Sequence, residues 1–230
     1  MSRRSCVRGR AAYFGGMRSV LLVLFALALS GCQALTVDFP AWLFGPPEVQ
    51  AGEAHSPDGA RFDHADLDAV LKAAVDDRGE VHYEKVDAAA LDRYVESLAV
   101  APYALMSRDE KLALLINAYN AFTLRLILDH RPLDSINDIP SAKRWEAERW
   151  TIGGQRLSLD ALENKRLRVE FREPRIHFAV NCASVGCPPL RAEAYDGARI
   201  EAQLAEQTAR VHADARWIRF DDGTLELTRL

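Results

Sequence analysis

SRDEKLALLINAYNAFTLRLILDH, residues 107–130, is the stretch whose reading decides the fold. Ser107 followed by Glu110 is the pattern of a capping box, in which the serine oxygen and the glutamate carboxylate satisfy free backbone amides at a helix start. The helix that it opens runs from about 108 to 130 and is apolar almost all round. A helix with no polar face is buried, so this one is expected at the centre of the domain. Asn117 and Asn120 interrupt it. They stand three apart and share a face, among Leu115, Ile116, Ala118, Tyr119, Ala121 and Phe122. A buried amide without partners costs a few kcal/mol, so something must satisfy them. Either they bond the backbone of a neighbouring loop and fix its shape, or they line a polar site.

Outward from this helix, the spacing predicts helices over 64–76, with Leu67, Val70, Leu71 and Val75 inward and Asp63 as cap, and over about 88–99. Gly79 stops the first, and Val81-His82-Tyr83 alternates as a short strand would. After Pro132 a polar loop reaches about Arg149. Trp150 to Leu157 reads as a hairpin turning on Gly153-Gly154, and Ser158 caps a helix over 159–168. Arg175 to Asn181 alternates as a strand, with Ile176, Phe178 and Val180 on one face. A helix from Arg199 to about Ala213 and a hairpin over 217–228 complete the chain. The class is α+β: helices packed on a small, largely antiparallel sheet, around a buried central helix.

The sharpest cluster is RIHFAVNCASVGCPPL, residues 175–190. As a strand it would put His177 and Asn181 opposite the apolar face, with Cys182 at its end. The two orphan polar faces, that of this strand and that of Asn117 and Asn120, would then satisfy each other, with Cys182 at the rim of a shared cavity. Cys182 and Cys187 leave several readings open. They can be a disulfide, a thiolate nucleophile with His177 as base, a metal site with His177, or two buried thiols. The metal reading lacks a close cysteine pair and an evident fourth ligand, so neither a metal nor another cofactor is expected.

The N-terminus is to be set aside before fold reasoning. Residues 1–18 hold five arginines and no acid, and Val20 to Leu29 are apolar, about the length of a signal-peptide core. Leu29-Ser30-Gly31-Cys32 resembles the lipobox of bacterial lipoproteins. That resemblance makes 1–31 a signal peptide and Cys32 the lipidated residue, with residues 33–61 as a tether and the domain beginning at Phe62. Met17-Arg18 is the more ordinary signal start. Gln33, where such lipoproteins retained at the inner membrane carry aspartate, points to the periplasmic face of the outer membrane. Removing residues 1–31 takes five positive charges from a chain of net −4, leaving −9. A domain that acidic is a poor nucleic-acid binder and is repelled by anionic lipid, so the lipid itself must hold it at the membrane. A protein or small-molecule partner is not named by the sequence.

Taken together, LINAYNAFTL, WTIGGQRLSLDALENKRLR and RIHFAVNCASVGCPPL resemble the domain-of-unknown-function family 547, over roughly residues 65–230. The resemblance singles out Asn117, Asn120, Glu163, Arg168, Arg175, His177, Cys182 and Cys187 and gives them no roles. Domains of this family continue past the last strand, which implies a chain cut short after Leu230. Two functional classes follow. One is a non-catalytic envelope module with Cys182 and Cys187 bridged. The other is a thiol-dependent hydrolase or acyltransferase, in which Cys182 attacks, His177 is the base, and Asn117, Asn120 or Asn181 orients groups or holds the oxyanion.

Overall fold

A computed structural model describes residues 59–184, 186–221 and 224–227. The expected signal peptide, Cys32, most of the expected tether and the end of the chain at Leu230 lie outside the described residues. The chain divides into two units, 1–52 and 53–230, and everything below concerns the second.

Three helices form the first layer. Helix α1 spans Ala65–Ala74, α2 Ala88–Leu98 and α3 Arg108–His130. Asp63 accepts the Ala65 amide at 2.8 Å, and Asp87 accepts the amides of Ala89 and Ala90, so the free N–H groups at both helix starts are met by short acidic side chains. At α3, Ser107 accepts the Glu110 amide at 3.2 Å. The expected return bond of the capping box is replaced: the Glu110 carboxylate faces Arg61 at 3.8 Å.

Helix α3 is the core, as its composition requires. Every residue from Leu112 to Leu124 is buried, and α1 packs on α2, which packs on α3. Among the described residues α3 is long and apolar enough to cross a membrane, but protein, not lipid, covers it. Phe122 stacks on Trp150 with ring centroids 4.5 Å apart, which fixes the first hairpin to the helix. That hairpin pairs β1 (Trp150–Ile152) with β2 (Gln155–Leu157) antiparallel, and Gly153 and Gly154 supply its turn with φ of 54° and 78°. A second antiparallel pair, β3 (Ile218–Asp221) and β4 (Thr224–Leu227), forms a separate sheet. The architecture is α+β.

Two predicted strands are not strands. Val81 makes only a single bridge to Val75, and Tyr83–Lys85 turn as a 3-10 helix. More consequentially, Ile176–Ala179 is a helical turn. Ile176, Ala179 and Val180 are its buried positions, a spacing of three and four, while Phe178 is only half-buried. Ile176 and Val180 fit both an alternating and a helical pattern, which is why the sequence reads either way. No central strand carries His177 and Asn181 on a common face.

Candidate functional site

Ser158 caps the next helix by accepting the Ala161 amide at 3.1 Å. The helix begins as a regular α-turn, Leu159–Ala161, becomes π-helical over Leu162–Leu167, and resumes as α over Arg168–Phe171. In a π-turn the backbone bond runs between residues five apart, and here the Arg168 amide donates to the Glu163 carbonyl. The side chains follow: Arg168 Nη2 donates to Glu163 Oε1 at 2.7 Å. Glu163 also accepts a hydrogen bond from Tyr119 on α3, whose hydroxyl is held protonated by burial and by the Glu163 charge. The result is a fixed chain from the core helix to the surface, Tyr119 to Glu163 to Arg168.

This chain forms one wall of a cleft of about 210 Å³, lined by Glu163, Arg168, Arg172, Glu173, Pro174, Ile176, His177 and Val180. His177 enters it from the helical turn Ile176–Ala179. Burial lowers its pKa below the ordinary value, the Arg168 charge adds to that, and Glu163 opposes it. The imidazole is therefore neutral at neutral pH. Arg172, at the C-terminal end of the π-containing helix, has a left-handed backbone (φ 51°), a conformation that a β-carbon disfavours. Arg175 lies beside the cleft and is spent on structure. It grips Glu173 through two hydrogen bonds of 2.8 and 2.7 Å and reaches Glu201 on the last helix, Ile200–His212, at 2.8 Å. Burial pushes Glu173 up, but the Arg175 bonds more than offset it and hold the carboxyl below its usual range.

The asparagines of α3 are occupied elsewhere. Asn117 donates to the Tyr195 carbonyl at 2.7 Å and accepts the Tyr195 amide at 2.9 Å. Asn120 donates to the Ala179 carbonyl at 3.0 Å and accepts the Asn181 amide at 2.9 Å. Each clasps a segment of backbone to the core helix, the loop-fixing use that buried amides commonly have. Asn181 donates to the Pro188 carbonyl at 2.7 Å and accepts the Ala183 amide at 2.8 Å, knotting its own loop.

Cys182 and Cys187 are joined as a disulfide across that loop, with Cα atoms 6.0 Å apart. Further bonds hold the loop. Trp217 donates its indole N–H to the Cys187 carbonyl at 3.1 Å, and the Leu190 amide donates to the Gly79 carbonyl at 3.2 Å. Gly79 is required twice over, by its φ of 79° and because a β-carbon there would stand 2.4 Å from Pro189 Cβ.

The expected shared cavity of His177, the asparagines and Cys182 is thus not what the chain builds. His177 opens onto the π-helix cleft, which neither asparagine nor Cys182 lines. Once residues 175–181 turn as a helix, the alternation that would have aligned them is gone. The structure instead unites Glu163, Arg168 and His177, three positions that the family resemblance singles out, with two residues that sequence reasoning passes over. Tyr119 reads as one more apolar neighbour on α3, although a buried tyrosine hydroxyl usually has a partner. Arg172 gives no sequence signal. A second cleft, of about 340 Å³, lies between α1 and the segment 194–199. His64 lines it, with Nδ1 2.8 Å from the Tyr94 hydroxyl and Nε2 buried without a partner. Among the described residues no cluster of three or more histidine, cysteine or acidic side chains could hold a metal ion.

Fold and site together define a small α+β domain with a disulfide-knotted loop beside a cleft of mixed charge. Residues 103–210 match the family model described as "Protein of unknown function, DUF547", a span of just under half the chain that contains the central helix, the cleft and the bridged loop. No curated protein and no solved structure matches the chain.

Proposed function

We propose that this protein is a lipid-anchored component of the bacterial cell envelope, held through Cys32 at the periplasmic face of the outer membrane, whose domain works as a non-catalytic module. The observation that carries the reading is the Cys182–Cys187 bridge. A sulfur in a disulfide is not a thiolate, and a thiolate is what a cysteine nucleophile requires. Disulfides persist in oxidising compartments such as the periplasm, in keeping with export through the predicted signal peptide. The thiol-hydrolase alternative is further weakened by the position of its base, because His177 lines a cleft that Cys182 does not.

The test is the intact mass of the protein isolated from envelopes and alkylated under native conditions without reductant. The expected species carries acyl groups, lost in Cys32→Ser, and no alkyl group on Cys182 or Cys187. Alkylation of either residue, or acyl groups that persist in Cys32→Ser, contradicts the proposal.

A further inference from the structure

The charges around the π-helix cleft do not cancel uniformly. Glu163 is engaged by Arg168 and Tyr119, and Glu173 by Arg175, which Glu201 shares. What remains at the mouth is Arg172, which has no hydrogen bond or ion pair among the described residues. His177 lines the same cleft, and its ring nitrogens have no hydrogen-bond partner among those residues either. The apolar part of the lining is Pro174, which is exposed, with Ile176 and Val180, which are 3% and 7% exposed and form its buried floor. One unpaired guanidinium and one imidazole above a small apolar floor make a recognisable composition: an oriented polar end and a greasy interior. A guanidinium fork matches a carboxylate through two parallel hydrogen bonds, and the neutral imidazole adds a third donor. A phosphate dianion would be left with one charge uncompensated, since Arg168 is already committed to Glu163.

We propose that this cleft binds a small monoanionic carboxylate with an apolar body, gripped by Arg172 and His177 and seated on Ile176 and Val180. The proposal rests on the reading of the domain as a non-catalytic module. It makes the Tyr119–Glu163–Arg168 chain a positioning device: it holds one wall rigid and keeps Arg168 from competing for the ligand. The π-turn is what places that wall, and π-turns recur at functional sites for this kind of local re-aiming.

The experiment uses the full-length lipidated protein in detergent and follows both its melting temperature and the proton resonances of His177. The probes are acetate, butanoate and hexanoate, with inorganic phosphate and butylamine as controls. Carboxylates are expected to raise the melting temperature saturably, as any ligand that binds only the folded state does. Each methylene that reaches the floor should tighten binding by roughly threefold to fourfold. His177 resonances should shift with the same saturation curve. Arg172→Asn, a side chain that tolerates the left-handed backbone, should weaken butanoate binding by about tenfold or more. Binding of phosphate in preference to butanoate overturns the carboxylate assignment. Butanoate binding that Arg172→Asn leaves unchanged overturns the location. No response to any carboxylate, in protein whose mass still shows the bridge closed, overturns the ligand while leaving the envelope-module reading intact.

Discussion

Glu163 and Arg168 stand five residues apart in the chain and 2.7 Å apart in space, because the helix between them is wound as a π-turn. Both sit on the wall that His177 faces, and they act on it with opposite sign.

That opposition can be read out directly. Glu163→Gln removes the group that raises the His177 pKa and leaves Arg168 unneutralised, so His177 should titrate lower than in the parent. Arg168→Met removes the lowering charge, so His177 should titrate higher. The measurement is the NMR titration of the His177 ring proton in each variant. Shifts of the same sign, or none in either, would place His177 outside this cleft.

The asparagine clasps predict a stability effect. Asn117→Leu strands the Tyr195 amide and carbonyl, and Asn120→Leu strands the Ala179 carbonyl and the Asn181 amide, in all cases against the buried face of α3. Each variant should lose about 1–3 kcal/mol in urea unfolding. Asn120→Leu should in addition speed hydrogen exchange in the 179–190 loop, which Asn117→Leu should spare. Two variants as stable as the parent would mean that the clasps contribute nothing.

His64 predicts a pH dependence. Burial lowers its pKa from 6.5 to about 4, with the neighbouring Asp196, Asp63 and Asp68 opposing. Between those values the unfolded chain binds a proton that the folded chain refuses, so stability falls as pH drops from about 6.5 toward 4 and is unaffected above that window. The loss is of the order of 3 kcal/mol at the lower end. His64→Gln should flatten this part of the profile in pH-dependent chemical denaturation. An unchanged slope would show that another group carries it.

Much of the fold is legible in the sequence because it rests on local signals. Ser107 and the long, mostly apolar run that follows it give α3, and Gly153-Gly154 gives the first hairpin. The failure at 175–181 has a definite cause. Ile176 and Val180 are spaced four apart, which satisfies a strand and a helix equally, while the buried Ala179, whose carbonyl accepts from Asn120, fits only the helical turn. The π-turn is illegible for a related reason: nothing in LENKRL separates a bond to the fifth residue from one to the fourth. The cleft therefore could not be assembled from spacing, although Glu163, Arg168 and His177 could each be named. The asparagines show the converse, since their burial was readable and their partners, 59 to 78 residues away, were not.

The central claim is that the domain is a non-catalytic module, with Cys182 locked in a structural bridge and His177 facing a separate cleft. The most direct test is an electrophilic thiol probe applied to the folded, unreduced protein from the envelope, with the labelled residue mapped by mass spectrometry and His177→Ala in parallel. The account predicts no labelling of Cys182 in either protein until reductant is added, and equal labelling of both afterwards. Labelling of Cys182 in the unreduced parent that disappears in His177→Ala would contradict it, because it would reveal a thiolate activated by that histidine.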